Sequence, residues 1–498
     1  MYRIARVLFL TAMAAAYISL TLTQIGCGSG SSGSANTQTA AAGGGTTTGG
    51  DTTAGGGTTT GGGTTTGGGT TTGGGTTTGG GTTTGGGTTT GGGTTTLPGI
   101  GSINVIQNVV FMLQENRSFD SYLGMLNTYQ KTVKGIANPQ VEALPLNVVL
   151  NDLAGNPVKP FHYQTACTDA ITPAWGASIT QYANGKLTGF MKTLPVRPDD
   201  PNGTRAMGYY DWTDLPYYYE LATQYATSDR QFASVGARTP VNRMYIMGGS
   251  SYGNVDFGPI PQTALTIFDR LTAAGLSWKY YYIPTIPVPG GLNISGFNVS
   301  KTHPSQIVPT TEYFTDLKNG TLPVVSFIES DGSGYDEHPE DNVQVGALET
   351  SGFINAFINS SYYATGAFFL SYDEHGGLYD HVKPITVQAP DNIPPNLSED
   401  PGAAHTEPGF TRSGFRVPLV VVSPWVKPGY VSHVPRENTS ILTFIEKRFN
   451  LAPLTKRDAS QDDMTEMFNF NTPALATPPT LPPQLTNRPC SFALEVGP

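Results

Sequence analysis

Four stretches of the chain, residues 105–113, 323–328, 366–372 and 417–423, are runs of apolar side chains stopped abruptly by polar or glycine-rich residues. Runs of this length and composition predict strands buried on both faces, as in a largely parallel sheet. Residues 214–225 and 439–449 carry helical spacing, and Thr439 or Asn438 is expected to cap the second helix, with Glu446 placed to pair with nearby Lys and Arg. Strands separated by helical stretches over residues 103–470 predict one large α/β domain layered α/β/α. The Pro-, Gly- and Asn-rich stretches 127–160, 282–309 and 388–408 read as excursions covering the sheet edge.

Composition divides the chain before this body begins. Residues 43–96 are nine six-residue units of the type GGGTTT, the second altered to GGDTTA. They offer no large apolar side chain to bury, and glycine loses the most entropy on ordering, so a flexible coil is expected over residues 27–96. A Gly-rich coil of this length spans roughly 40 Å. Residues 1–26 read as an export signal: Arg3 and Arg6 at the start, an apolar stretch over 7–22, and then Ile25–Gly26–Cys27. Cys27 is the expected lipidation site of a cell-surface or outer-membrane lipoprotein, although Gln24 stands where an aliphatic residue is usual; simple cleavage and secretion is the alternative. Residues 97–498 then form the catalytic body. In an exported protein its two cysteines, Cys167 and Cys490, can form one disulfide.

The formal net charge is −10. Arg3, Arg6 and Asp51 are the charged residues before the body and sum to +1, which leaves about −11 on the rest. An acidic body argues against a nucleic-acid partner, whose phosphates need a basic surface. It equally argues against electrostatic adsorption to anionic lipid.

Two polar segments follow predicted strand ends directly: Glu115 and Asn116 after the first run, Asp373 and Glu374 after the third. In open α/β sheets ligands bind at that edge, so these four side chains are expected to converge across the sheet. Three carboxylates and an amide oxygen form a hard donor set suited to Ca, Mg or Mn.

Six ordered blocks sharpen this picture. ENRSFD (115–120), RTPVNR (238–243), DEHP (336–339), YDEHGGLYDHV (372–382), FRVPLVVVSP (415–424) and LTKRDA (454–459) together resemble the phosphoesterase family of bacterial and plant non-specific phospholipases C and bacterial acid phosphatases. The resemblance implies an alkaline-phosphatase-like α/β/α fold and hydrolysis of a phosphate ester, either a phospholipid or a phosphomonoester, at a site supported by a divalent metal ion. It puts the metal ligands at Glu115, Asn116, Asp373 and Glu374, with Thr239 as both ligand and nucleophile. A threonine hydroxyl attacks only once its proton is drawn off, which a cation can promote by stabilising the alkoxide.

His338 matches a histidine of the family's active site, suited to protonating the departing alcohol, and its neighbours Asp336 and Glu337 are expected to hold it more protonated. Asn242, His375 and His381 are weaker candidates for substrate contacts or for orienting the carboxylates. One departure stands out. Where relatives carry a histidine around Trp175, this chain has Thr172, Pro173, Ile179 and Thr180. That gap leaves room for a second reading, a non-catalytic surface binding protein on the same fold. A sulfatase is disfavoured, because the cysteine-centred motif that those enzymes mature is missing.

Overall fold

The structure is a computed structural model, and it describes residues 98–495 apart from 170, 194–196, 284–292, 331–335 and 401–408. These residues belong to one unit beginning at Thr95. The predicted signal, Cys27 and the GGGTTT repeat lie outside the described residues.

The apolar runs form the centre of an eight-stranded sheet. In chain order its strands are β1 (Asn108–Gln114), β2 (Ala226–Ser228), β3 (Trp278–Tyr282), β4 (Ile307–Pro309), β5 (Val325–Glu329), β6 (Gly366–Tyr372), β7 (Leu419–Val422) and β8 (Val431–Ser432). They lie side by side as β8-β2-β7-β6-β1-β5-β3-β4. From β6 to β4 the pairings are parallel; β7 runs antiparallel to both β6 and β2. β1 and β6 are buried along their whole length, as strands covered on both faces must be.

Consecutive side chains of a strand point to opposite faces, and β6 shows what covers each face. Phe368 packs on Phe357 of the helix α1 (Val343–Ile358), 5.9 Å between ring centroids. Its neighbour Phe369 packs on Phe444 of α2 (Ser440–Phe449), at 4.9 Å. The same alternation runs along β3, where Tyr281 meets Tyr313 and Tyr280 meets Phe268. Helices therefore sit on both faces, and the layering is α/β/α as predicted.

Three local expectations change. Thr439 is the N-cap of α2 but makes no side-chain cap; its hydroxyl donates to Glu437, while Asn438 donates to the carbonyl of Tyr372 at 2.8 Å. Glu446 does not pair with a cation. It is buried beside Asp458, and burial together with that carboxyl pushes it up to about 9. The predicted excursions also contain regular elements, among them the helix Leu126–Thr132 and the edge strand β4, which the Pro- and Asn-rich composition concealed.

Candidate active site

The register of the two central strands assembles the site. Gln114 and Tyr372 are paired partners at the ends of β1 and β6, so the residues after them leave the sheet side by side. Asp373 N donates to Gln114 O at 3.0 Å, and Asn116 N donates to Asp373 Oδ1 at 3.1 Å. Asn116 adopts a left-handed backbone (φ 59°), one that asparagine tolerates better than most residues. Opposite it, Gly376 has φ +68°, and a Cβ there would lie 2.1 Å from the Asn116 carbonyl oxygen. Only glycine fits this crossing of the two loops.

Thr239 comes from a different part of the chain. It is the first residue of the helix Thr239–Gly248, with Pro240 following in the first turn, where a missing N–H costs nothing. Its Oγ1 donates to Glu115 Oε2 at 2.9 Å and lies 3.2 Å from Asn116 Oδ1. The turn before it is fixed by Asn242, whose Oδ1 accepts from Val235 N at 3.0 Å and whose Nδ2 donates to Ala237 O at 2.8 Å. Those bonds use Asn242 to shape the turn, so a substrate contact by that side chain is not supported.

Beneath the site lies a buried guanidinium. Arg243 Nη2 sits 2.8 Å from Glu115 Oε1, with Nη1 3.6 Å from Glu329 Oε1 and Nε 3.9 Å from Asp373 Oδ2. It offsets part of the negative charge that the strand ends concentrate, which buried carboxylates require.

The donor set fits a hard divalent cation. Asp373 Oδ2 and Glu374 Oε1 are buried acceptors with no hydrogen-bond partner. Burial and the adjacent Asp373 carboxylate push Glu374 well above the usual carboxylate range. A cation among such oxygens supplies the missing partner and relieves that repulsion. The carboxylates of Glu115, Asp373 and Glu374 are not gathered within 4.8 Å of one another; among the described residues the groups that bring three His, Asp or Glu ligand atoms that close are Asp120 with Asp380 and His381, and His162 with Asp211 and Asp214. Both already hold a guanidinium. Arg416 lies 2.8 Å from Asp120 and 2.9 Å from Asp380, and Arg488 lies 2.7 Å from Asp214. Either group would take a metal only by displacing its arginine.

The three histidines separate. His338 lines the cleft that holds Thr239, a cavity of ≈ 340 Å³ shared with Asn116, Ile171, Pro173, Arg238 and Phe257. It is 34 % exposed, and partial desolvation lowers its pKa, against the expectation that Asp336 and Glu337 would raise it. The reason is orientation: the Glu337 carboxylate turns away to accept from the hydroxyls of Tyr218 and Tyr372, in a pocket that raises it to about 7. His375 is fully buried, donates from Nε2 to Gln181 Oε1 at 2.8 Å, and is pushed down to about 3 by burial, so it stays neutral beside Glu374. His381 bonds Asp120 at 2.7 Å and lies 3.3 Å from Glu142, which makes it part of the Arg416 ion-pair network and not of the cleft.

The sequence reading missed Arg238 and Phe257 on the cleft wall. Arg238 opens the RTPVNR block, directly before Thr239; nothing in the spacing marks Phe257, which is 73 % exposed at the cleft.

The sequence profile of the Phosphoesterase family matches residues 106–452. The chain belongs to that family. It is similar to phospholipase C B of Mycobacterium tuberculosis, 28 % identical over 443 residues covering 77 % of this chain and 81 % of the relative. To non-specific phospholipase C1 of Arabidopsis thaliana it is 31 % identical over 414 residues, covering 76 % and 74 %. Among solved structures, the phosphonate monoester hydrolase of Agrobacterium radiobacter aligns over 74 % of this chain and 78 % of its own, at 9 % identity and a TM-score of 0.35. This phosphoesterase is a hydrolase of phosphoric esters. Thr172 and Pro173 line its cleft.

Proposed function

We propose that this phosphoesterase is an exported enzyme that cleaves a phospholipid on the glycerol side of its phosphodiester, with Thr239 as covalent nucleophile. The observation that carries the reading is the 2.9 Å hydrogen bond from Thr239 Oγ1 to Glu115 Oε2, which gives the hydroxyl proton an acceptor at the floor of the cleft. Glu115 takes that proton as Oγ1 attacks phosphorus; the bond from phosphorus to the glycerol oxygen breaks, and His338 protonates the leaving alcohol. Water then attacks the phosphothreonine and gives a proton to His338, while Thr239 recovers its own from Glu115. Glu115, Asn116, Asp373, Glu374 and Thr239 would hold a divalent cation, which when bound stabilises charge on the phosphoryl and threonine oxygens.

Two observations support a lipid substrate: the relatives carry phospholipase C names, and Ile171, Pro173, Pro240 and the exposed Phe257 give the cleft an apolar wall. Export is supported by the signal-like residues 1–26 and by the Cys167–Cys490 disulfide in the body, a bond characteristic of oxidising compartments. Lipidation at Cys27 would place the enzyme on a membrane surface at the end of the Gly/Thr repeat.

Product analysis tests the reading. Incubated with phosphatidylcholine, the enzyme should release diacylglycerol and phosphocholine. Phosphate release from monoesters alone would make it a phosphatase, and loss of both activities in metal-replete protein would favour a binding protein.

A further inference from the structure

We propose that Arg238 holds a non-bridging phosphoryl oxygen of the substrate, and that Asp256 competes with the substrate for its guanidinium. The proposal rests on the reading of this cleft as the phosphoester site. Arg238 is the extended N-cap residue (φ −69°, ψ 167°) of the helix that begins with Thr239, so the two side chains leave the same turn. Both line the cleft, and Arg238 is the permanently charged side chain on its wall.

The other arginines nearby do not line the cleft, although Arg117 Nη1 and Nη2 are also buried without a hydrogen-bond partner. Arg243 is buried among Glu115, Glu329 and Asp373. Arg117 is buried too, with Nε on the Glu337 carbonyl at 2.7 Å and its plane against the rings of Tyr122 and Tyr210.

Arg238 is 43 % exposed and incompletely paired. Its Nη1 stands 3.7 Å from Asp256 Oδ2, too far for a hydrogen bond, and its Nε is buried with no hydrogen-bond partner. Asp256 cannot easily close the gap, because the N–H groups of Val255 and Asp256 are held by Glu399 Oε2 at 2.9 and 3.0 Å. A buried donor left unmatched is costly, and an anionic oxygen is the acceptor that suits it. A phosphoryl group entering beside Glu115, Asp373 and Glu374 needs cationic contact on its opposite side, and the guanidinium fork supplies it in a fixed geometry.

The test measures inorganic phosphate binding by calorimetry on the metal-loaded protein, alongside KM and kcat for a chromogenic phosphoester. Arg238→Met should weaken phosphate binding and raise KM by roughly 10- to 100-fold, the size of a lost charged hydrogen bond, with a smaller change in kcat. Arg238→Lys should recover part of the loss, since it keeps the charge without the fork. Asp256→Asn should tighten phosphate binding severalfold, which covers the case in which the Met variant fails to fold. Unchanged phosphate affinity in Arg238→Met, or unchanged or weaker affinity in Asp256→Asn, overturns the proposal. Normal turnover by Thr239→Ala alongside weakened phosphate binding in Arg238→Met would sink the nucleophile and leave this assignment standing.

Discussion

Thr239 Oγ1 lies 2.9 Å from Glu115 Oε2 across 124 positions of sequence, which brings the start of a helix against the end of the central strand β1. The contact depends on the crossing of two loops at Asn116 and Gly376. Gly376→Ala would drive a Cβ to 2.1 Å from a backbone carbonyl and force alanine into a left-handed conformation that costs roughly 1–2 kcal/mol before any clash. Turnover is expected to drop at least tenfold while most of the fold persists. Circular dichroism together with steady-state hydrolysis checks this; a fully active alanine variant would show that the loop crossing does not shape the site.

Arg243 is expected to matter for stability as much as for chemistry. Replacing it by Met removes the guanidinium from among Glu115, Glu329 and Asp373 and leaves buried carboxylates uncompensated, a change that typically costs about 3–5 kcal/mol. Denaturant unfolding of both proteins at pH 7 measures the difference. A loss below about 1 kcal/mol, the range of exposed ion pairs, would mean the charges are not coupled as described.

The sheet was legible from the chain because β1 and β6 are buried on both faces and read as unbroken apolar runs ended by polar residues. Glu115, Asn116, Asp373 and Glu374 could be placed together for the same reason, since parallel strands in register end at one edge. Short or amphipathic elements escaped. β2 is three residues and β4 is an edge strand next to Pro-rich sequence, so neither carries a period long enough to see. Side-chain direction escaped too: Glu337 and His338 are adjacent, yet one turns into a tyrosine pocket and the other into the cleft, which sequence proximity alone could not distinguish.

Glu446 gives a pH signature away from the cleft. Its folded pKa, about 9, lies above the ordinary carboxylate value, so between roughly pH 4.5 and 9 the folded state binds more protons than the unfolded one. Stability from this group is therefore present at low pH and is lost as pH rises through that window. Glu446→Gln should flatten the fall, and at pH 8 its midpoint of unfolding should equal or exceed that of the parent. A variant clearly less stable at pH 8 would show that the carboxyl is ionised and paired.

The Cys167–Cys490 bond joins positions 323 residues apart and ties the C-terminal segment to the loop after the first motif. Replacing both cysteines by Ser should lower stability by about 2–4 kcal/mol, chiefly by freeing the unfolded chain, while turnover at 25 °C changes little. Thermal unfolding with and without reductant would read the same difference in the parent protein, and an unchanged midpoint would contradict it.

The most direct test of Thr239 is the covalent intermediate itself. Metal-loaded enzyme mixed with a phosphoester, quenched in acid within the first turnover and digested, should yield a peptide spanning residue 239 that is heavier by one phosphoryl-containing group. Thr239→Ala should give no such peptide and lose several powers of ten in turnover, while keeping its metal. A modified residue elsewhere, or near-normal turnover by Thr239→Ala, would contradict the account.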